Sequence, residues 1–510
     1  MWFESPMKKI LADARPSGMK SYTVNMAREE FKGCQAVFLP EKPLEAHIVV
    51  TDAVNQKGVR INASAFGERY IRTVFAQPYF EDEKLNGKEV YFPDALVPLT
   101  GPVTLSPGTP TPVYVLFDTH GAEPGDYVSS VYLISDGETV ESGEIRVHVW
   151  NFALPERRSM KTAVGLGNEC IAKAHGLPYN AENPWEKTDM YRKYYDFLLD
   201  HNCSAYDLPY EITDDRVDRY LSDPRVTSFV VPCLDDDKIK EFHKKLSRKK
   251  EWLGKSFFYP LDEPGDPDAF RRVVDAGKRL GSLFPGYRLC VPFFVDPDMG
   301  DGRDGFSHAA EVVNVWCAKL ACFDSEFIYS KDQMQSEIPF AERMRYERNG
   351  GDDVWWYVCC DPGEPYPNLY INMQGAANRS IFWMADLYGI NGFLYWSTNY
   401  WEDITDPWKE ADTVKKFVSP MIFGDGSLLY NGNEVGVDGP CSSLRLEAVR
   451  DGIDDFELIT MARSAGVDEN RIAEIVGTVA RSVKDFTHSD TVIELARKAL
   501  GDLIEEAVIG

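Results

Sequence analysis

The spacing of apolar side chains predicts a β-rich first part of the chain. Over residues 1–152, short apolar runs such as AHIVVTD, EVYFPDALVPL, TPVYVLFDTH, DYVSSVYLIS and EIRVHVW are separated by turn-forming segments such as SPGTPTP and GAEPG. In the last run, Ile145, Val147 and Val149 occupy alternate positions, which is the period of a strand with one buried face. Several short strands joined by such turns predict a β-sandwich domain.

From residue 160 the pattern changes to apolar runs that alternate with amphipathic stretches. Between two of the runs, Ile239, Phe242 and Leu246 follow helical spacing. Eight strand-like runs separated in this way predict a (β/α)8 TIM-like barrel over residues 160–463. An open doubly wound sheet is the main alternative, but no Gly-rich phosphate turn follows any run. The eight runs are KTAVGL, SAYDL, VTSFVV, SFFYPL, YRLCVPFF, VVNVWC, VWWYVC and GFLYW.

The last part of the chain has a helical pattern. The segment SLRLEAVRDGIDDFELITMARS is expected to supply the last helix of the barrel, and residues 464–510 a small helical extension. The predicted fold class is therefore multidomain β plus α/β: an N-terminal β-sandwich, a (β/α)8 barrel and a C-terminal helical extension.

Charge and composition limit the partners. The formal net charge of −26 argues against nucleic acid and anionic membranes, because phosphate contacts need a basic surface. No stretch reaches the roughly 18 apolar residues of a membrane span, and the opening segment lacks the apolar core of a signal peptide. The ten cysteines are scattered without Cys-x-x-Cys pairs, as is typical of a reducing compartment. We therefore expect a cytoplasmic protein, and the sequence indicates neither a metal site nor a cofactor.

The fourth apolar run ends in two adjacent carboxylates. FFYPLDEPGDP places Asp262 and Glu263 at the carboxyl end of a strand, where barrel enzymes carry their chemistry. Pro264 is expected to hold Glu263 in an extended conformation, and Gly265 to permit a turn. Repulsion between two neighbouring carboxylates favours keeping one of them protonated as a general acid. The alternative is a plain strand-end turn, with Asp266 near the start of the next helix.

Aromatic and polar residues follow several other runs. Trp316, Tyr357 and Trp396 lie near the ends of the sixth, seventh and eighth runs, and indole faces stack on sugar rings. Core packing is the alternative role of each, and it is the one we prefer for Trp355, Trp356 and Trp383. The polar candidates that could bind a sugar hydroxyl are Asp207 and Asn399, with weaker signals at Asn168, Glu169, Asp361, Glu364, Tyr400 and Glu402.

Several ordered blocks of the sequence resemble glycoside hydrolase family 123, the β-N-acetylgalactosaminidase family. They are MAREEFKGCQAVFLP, VWNFALPERRSMKTAVGL, FFYPLDEPGDP, NGFLYWSTNYWEDITDPW and, most specific, GDGSLLYNGNEVGVDGPCSSLRLEAVRDGIDDFEL. The resemblance spans nearly the whole chain. It implies a β-sandwich followed by a catalytic barrel, and a GalNAc-terminated glycan or glycoconjugate as the substrate.

The resemblance also implies a retaining, substrate-assisted mechanism. The family's Asp-Glu pair corresponds to Asp262, which would orient the 2-acetamido group and stabilise an oxazolinium ion, and Glu263, the general acid and base. Similarity to hexosaminidase barrels gives Tyr357 a hydrogen bond to the amide oxygen, and Trp396 would form the floor under the sugar. No cofactor is needed. The sugar epimer, the linkage and the oligomeric state do not follow from the sequence.

Two other functions are compatible with the same residues. One is a glycosidase of different sugar specificity, in which Glu263 works with a distant carboxylate such as Asp361 or Glu402. The other is a carbohydrate-binding protein without catalysis, against which the intact Asp262 and Glu263 argue. Activity on a sugar without the 2-acetamido group would favour the first, and binding without turnover the second.

Overall fold

The computed structural model describes residues 1–74, 89–181, 183, 186–327, 338–401, 406–411 and 422–509. No helix within these ranges combines the length and apolar character needed to cross a bilayer.

The N-terminal part forms one eleven-stranded sheet system with the order β1-β3-β9-β6-β5-β10-β11-β2; β7 pairs with β6, and β4 pairs with β10 and β8. Neighbouring strands are antiparallel except β11 and β2, which are parallel. All five strand-like runs predicted for this part lie in strands, namely β4, β7, β9, β10 and β11. The bounds are β1 (Trp2–Glu4), β2 (Ser21–Arg28), β3 (Phe31–Phe38), β4 (Leu44–Val50), β5 (Ala53–Val54), β6 (Arg60–Val74), β7 (Glu89–Pro98), β8 (Val103–Leu105), β9 (Thr111–Asp118), β10 (Gly125–Ser135) and β11 (Glu138–Ala153).

Alternating side chains of these strands build the first core. Ile145, Val147 and Val149 of β11 are all buried, as their spacing predicts. They pack in one cluster with residues of β2, β3, β9 and β10, including Val115 and Tyr127. Side chains at alternate positions of several strands are thus buried together in one core.

The second part holds a set of short parallel strands. Five of them form the order β12-β18-β17-β16-β15, and β13 pairs with β14. The bounds are β12 (Lys161–Val164), β13 (Phe229–Val230), β14 (Ser256–Phe257), β15 (Cys290–Phe293), β16 (Val315–Lys319), β17 (Asp353–Val358) and β18 (Gly392–Tyr395), with a hairpin of β19 (Tyr430–Asn431) and β20 (Pro440–Cys441) further on.

Backbone contacts link these strands into a nearly closed, barrel-like sheet. A parallel bridge joins Val164 to Ala205, and the Val230 N–H donates to the Tyr206 carbonyl at 3.0 Å. A further bridge joins Phe258 to Leu289, which connects β14 to β15. Seven of the eight predicted runs therefore contain a strand, and the second run, SAYDL, contributes only the bridge at Ala205.

Hydroxyl side chains explain why the second run is so short a strand. The Thr162 N–H donates to Thr227 Oγ1 at 2.9 Å, the Ser204 N–H to Thr162 Oγ1 at 2.9 Å, and the Thr227 N–H to Ser204 Oγ at 2.8 Å. Three backbone donors are thus satisfied by side chains where a regular ladder would use carbonyl groups. The pattern of apolar residues in the sequence does not reveal these side-chain hydrogen bonds.

Helices separate the parallel strands, as predicted. The run of acidic residues after VTSFVV begins a helix, since Asp235 accepts hydrogen bonds from the N–H groups of Asp237 and Lys238. The bounds are α1 (Asn168–Ala174), α2 (Asp189–Leu199), α3 (Asp218–Ser222), α4 (Asp236–Leu246), α5 (Lys250–Lys255), α6 (Pro267–Leu283), α7 (Gly305–Ala309), α8 (Phe340–Gly350), α9 (Gly375–Tyr388), α10 (Leu444–Ser464), α11 (Glu469–Val479) and α12 (Asp490–Ile509), with 3₁₀ turns at Asp215–Val217, Leu320–Phe323 and Gly432–Val435.

The last helices join the two parts of the molecule. α10 packs on α9, and α12 packs on β11 of the N-terminal sheet. Trp150 of β11 lies against Gly501 of α12, where an added Cβ would come within 2.2 Å of the indole. The chain is therefore a multidomain, β-rich protein in which a nearly closed, barrel-like sheet carries helices. The predicted β-sandwich and (β/α)8 barrel are more specific descriptions of these two parts of the molecule.

Candidate functional site

Residue alternation in the barrel-like sheet decides which side chains reach its interior. In β17, Trp355 and Tyr357 pack in one cluster with Phe257 and Leu394 of neighbouring strands. The intervening Trp356 belongs to the cluster that includes residues of the surrounding helices. Tyr357 is the last inward residue of its strand, so its hydroxyl lies at the carboxyl end of the sheet.

Two tyrosine hydroxyls hold the adjacent carboxylates beyond β14. The Tyr259 hydroxyl donates to Asp262 Oδ1 at 2.6 Å, and the Tyr357 hydroxyl donates to Glu263 Oε1. Asp262 is exposed and Glu263 half-buried. The structure thus brings Asp262, Glu263 and Tyr357 together, each carboxylate oriented by a donor from within the sheet.

Burial keeps both hydroxyls protonated. It raises the pKa of Tyr259, with Tyr206 and the Asp262 carboxylate adding to the effect. Burial likewise raises the pKa of Tyr357, and the Glu263 carboxylate raises it further. A tyrosine with a raised pKa stays neutral at physiological pH and remains a hydrogen-bond donor.

The backbone at Glu263 differs from the expectation. Glu263 has φ +40° rather than the extended conformation predicted before Pro264, and the turn is made there rather than by Gly265. A non-glycine residue in the left-handed region costs about 1–3 kcal/mol and persists where its surroundings hold it. The prediction was wrong because the preference of a residue before proline is weaker than the contacts that hold this side chain, among them Tyr357.

Asp266 takes the structural role that the sequence left open for this segment. Its carboxylate accepts the Ala269 N–H at 2.8 Å and begins α6, with Pro267 as the first helical residue. Helix capping therefore needs neither Asp262 nor Glu263.

A buried lysine stands at the end of the neighbouring strand β16. Lys319 pairs with Tyr357 in the register of β16 and β17, and its ammonium lies 3.0 Å from Asp361 Oδ2. Burial alone would lower the pKa of Lys319, but Asp361, Cys359 and Glu263 outweigh it and raise the pKa. The ammonium therefore stays charged beside the carboxylate pair.

Trp396 is positioned by a buried carboxylate. Its indole N–H lies 3.1 Å from both oxygens of Asp425, and the Tyr395 hydroxyl donates to Asp425 Oδ1 at 3.1 Å. Burial raises the pKa of Asp425 to about 6, against the hydrogen bonds from Trp396 and Tyr395. Trp396 is half-buried and packs on Tyr400, with ring centroids 5.0 Å apart.

Two predicted substrate-binding residues are placed elsewhere. Trp316 is fully buried, packs on Phe293 and Phe306, and donates its indole N–H to Asp352 at 3.0 Å, so it belongs to the core between strands and helices. Asn399 is also fully buried. Its side chain accepts from the Gly167 N–H at 2.7 Å and donates to the Gly167 carbonyl at 3.0 Å. Both side chains are thus enclosed by protein contacts, and substrate binding by Trp316 and Asn399 stays a prediction.

The remaining candidates differ in exposure. Asp207 is half-buried and lies 3.4 Å from Lys187, so it keeps a place at the rim. Asp361 is bound to Lys319, whereas Glu364 is exposed. Glu402 lies outside the described residues. Among the described residues, no group of three His, Cys, Asp or Glu side chains is arranged to hold a metal ion.

A cavity of about 1000 Å³ lies apart from the carboxylate pair. Arg72, Glu169, Trp401 and Glu434 are among its lining residues, whereas Asp262 and Glu263 are not. Because the reacting groups of an enzyme have to contact the substrate, we place the candidate site at the paired carboxylates rather than in this cavity.

Comparison with known families adds the decisive observation. Residues 304–462 match the family model described as glycoside hydrolase 123, catalytic domain. This segment of the chain is similar to the catalytic domain of family 123 glycoside hydrolases. The resemblance inferred from the sequence blocks is thereby confirmed, and the protein is a glycoside hydrolase. The matched segment includes Tyr357, Trp396 and Asp425 but begins after Asp262 and Glu263.

Solved structures support the same fold for this glycoside hydrolase. A family 123 glycoside hydrolase from Clostridium perfringens, studied for glycolipid glycan hydrolysis, is similar over 100% of this chain and 97% of its own, with 13% identity and a TM-score of 0.69. A family 39 glycoside hydrolase from Bacteroides cellulosilyticus covers 88% of this chain and 82% of its own, with 10% identity and a TM-score of 0.33, too low to inform the fold. No curated protein sequence matches the chain.

Sequence reasoning missed three residues of this glycoside hydrolase site. Tyr259 and Lys319 each continue the inward alternation of a strand by one more step, so extending the period-two pattern to the strand end would have found them. Asp425 lies between two glycines in the late sequence block, and nothing in its spacing connects it to Trp396.

Proposed function

We propose that this glycoside hydrolase releases a terminal β-linked 2-acetamido sugar by a retaining mechanism through an oxazolinium ion. The sugar that we propose is GalNAc. The observation that carries the proposal is the placement of Asp262 and Glu263, adjacent residues at one strand end whose carboxylates are held by separate tyrosine hydroxyls.

The adjacency of Asp262 and Glu263 favours a mechanism in which the substrate itself supplies the nucleophile. An ordinary retaining glycosidase holds two carboxyl groups about 5–5.5 Å apart on opposite sides of the scissile bond. Neighbouring residues of one turn cannot easily flank a bond in this way. A 2-acetamido group removes the difficulty, because its carbonyl oxygen attacks the anomeric carbon and leaves Asp262 free to stabilise the ring that forms.

Each step of the reaction then has a residue in reach. Glu263 donates its proton to the leaving oxygen as the acetamido oxygen bonds to the anomeric carbon. Asp262, oriented by Tyr259, accepts the amide N–H and balances the positive oxazolinium ring. Glu263 next takes a proton from water, which attacks the anomeric carbon and returns the acetamido group with retained configuration.

The surrounding side chains suit sugar binding. Trp396 offers a fixed indole for the sugar floor, held through its N–H by Asp425. Tyr357 can bond the amide oxygen of the substrate or the Glu263 carboxylate, and Asp207 lies at the rim. The Clostridium perfringens relative is described as acting on a glycolipid glycan, which is the substrate class we adopt here.

We place this chemistry in a (β/α)8 barrel over residues 160–463, preceded by a β-sandwich over 1–152 and followed by a helical extension over 464–510. The parallel bridges at Ala205 and Phe258 support the barrel, because they continue the pairing of β12 and β15 through the shorter strands. The ten cysteines form no disulfide in the described part of the chain, which fits a cytoplasmic setting.

The test is hydrolysis of 4-nitrophenyl 2-acetamido-2-deoxy-β-galactoside, its gluco epimer and the plain β-galactoside. Wild type is compared with Glu263→Gln and Asp262→Asn. Glu474→Gln is the matched control, because Glu474 is an exposed carboxylate on α11 with no proposed role in the reaction. We expect release from the galacto acetamide by the wild type and the control, and a loss of about 100-fold or more in both active-site variants.

Activity on the plain galactoside without activity on the acetamides would contradict substrate assistance and favour a distant second carboxylate. Full activity of Glu263→Gln would show that Glu263 is not the general acid. Faster hydrolysis of the gluco epimer would agree with the proposed mechanism but would identify the gluco acetamide as the preferred sugar.

A further inference from the structure

We propose that Cys359 and Cys360 form a bidentate dithiol site in the wall of the sugar pocket, and that a trivalent arsenical bound there blocks the enzyme. The two sulfur atoms lie 4.0 Å apart, and both side chains are half-buried. No proposed catalytic step uses either thiol.

The turn that carries the two cysteines is fixed by its backbone. They follow β17 directly, where the Cys359 N–H donates to the Asp361 carbonyl at 3.1 Å. Asn368 donates its side-chain amide to the Cys359 carbonyl at 2.8 Å. Because Asn368 is fully buried, this contact fixes the backbone that carries the two thiols.

The two thiols pack against different apolar clusters. Cys359 packs against the inner cluster that includes Tyr357 and Leu394. Cys360 packs with Trp396 and Tyr400 against a small apolar cluster built by Tyr370, Met373 and Ile422. A ligand bonded to both sulfurs would therefore adjoin both clusters, one of which includes Tyr357 while Trp396 packs against the other.

The chemistry suits an arsenical better than a disulfide. Consecutive Cα atoms are about 3.8 Å apart, below the roughly 4.4–6.8 Å of ordinary disulfides. An arsenic atom bonds each sulfur separately and so closes the gap without an S–S bond. An organoarsenic oxide condenses with two thiols: two As–S bonds form, the As=O bond is lost, and the oxygen leaves as water with the two thiol protons. No oxidant is needed.

The probe is phenylarsine oxide added to the full-length enzyme, with intact mass, peptide mapping and hydrolysis rate as readouts. We expect one phenylarsenic group per chain on the peptide with residues 359 and 360, and inhibition that 2,3-dimercaptopropanol reverses and 2-mercaptoethanol does not. Cys359→Ser and Cys360→Ser should each weaken the inhibition by about 100-fold, because one thiol loses the chelate advantage. Cys233→Ser, at the exposed lone cysteine, should respond as the wild type does.

Three results would overturn the proposal. One is unchanged inhibition of both single-serine variants, and another is mapping of the arsenic to the buried Cys290 and Cys317. The third is a full adduct on residues 359 and 360 with an undiminished hydrolysis rate, which would remove the thiols from the pocket wall. Failure of the proposed sugar specificity is distinguishable, since it appears in the unmodified enzyme while the mass readout still tests the dithiol.

Discussion

At the scale of single residues, the hydroxyl of Tyr357 is the group whose removal tests the site most directly. Tyr357→Phe deletes the donor to Glu263 and leaves the ring in the barrel interior. A hydrogen bond to a charged group contributes about 1.5–3 kcal/mol, so we expect kcat/KM on the acetamido substrate to fall by about 10- to 100-fold.

Tyr366→Phe is the matched control for that change, since Tyr366 donates to Asp324 at 2.8 Å away from the pair. Steady-state kinetics of both variants, with circular dichroism to compare folding, make the measurement. Equal kcat/KM values for wild type and Tyr357→Phe would remove Tyr357 from the reaction.

The placement of single residues could be predicted from the sequence where the position along a strand was decisive. The end of the fourth run brought Asp262 and Glu263 to the same turn, and the end of the seventh brought Tyr357 beside them. The structure instead buries Trp316 and Asn399 among other contacts. Proximity to a strand end does not tell whether a side chain points inward, and one residue of displacement turns it to the helices or into a loop contact.

At the scale of elements, the segment Gly424–Gly426 supports Trp396. Gly426 has φ +70°, and an added Cβ would come within 2.2 Å of the indole. Gly426→Ala should therefore displace the ring as well as strain the backbone. If Trp396 forms the sugar floor, losing about 1.4 kcal/mol of stacking would raise KM by about tenfold with a smaller change in kcat.

Gly436→Ala provides the matched control for this prediction. Gly436 has φ +74° but open space around its Cβ position. Both variants should lose similar stability from the left-handed backbone, about 1 kcal/mol. A similar KM in the two variants would show that Trp396 does not contact the sugar, whereas a rise confined to Gly426→Ala would support the floor.

Periodicity predicted the elements better than their lengths. β17 and β18 nearly coincide with the runs VWWYVC and GFLYW, because buried parallel strands are continuous apolar segments. The second run was shortened by the hydroxyl contacts among Thr162, Ser204 and Thr227, which no apolar pattern reveals.

At the scale of the whole molecule, the order of the β-rich and barrel-like parts could be read from the change in period. The attachment of the C-terminal helices to the N-terminal sheet could not. That attachment rests on buried ion pairs such as Arg497 with Glu30 and Lys32 with Asp451, while Arg379 with Asp455 joins α9 to α10. Charged residues in a sequence indicate solvent exposure by default, so their burial emerges only when the partners meet in space.

These ion pairs make a pH prediction. Burial would raise the pKa of Asp455, but Arg379 and Arg497 outweigh it and lower the pKa to about 2. The carboxylate therefore stabilises the folded state fully above its unfolded pKa of about 3.9, and that contribution is lost as the pH falls towards 2. Glu30 has the opposite sign, because burial raises its pKa to about 7, so its charging costs stability as the pH rises.

Asp455→Asn isolates the first contribution. Thermal unfolding midpoints at pH 7, 5 and 3 should show a less stable variant at pH 7, by about 3–5 kcal/mol, because two buried guanidinium groups lose a charged partner. Between pH 5 and 3 the variant should lose less stability than the wild type, since it no longer takes up that proton. Asp268→Asn, at an exposed carboxylate, should follow the wild type. Parallel pH profiles for Asp455→Asn and wild type would mean that the ion pairs between α9, α10 and α12 do not determine the stability of the folded protein at low pH.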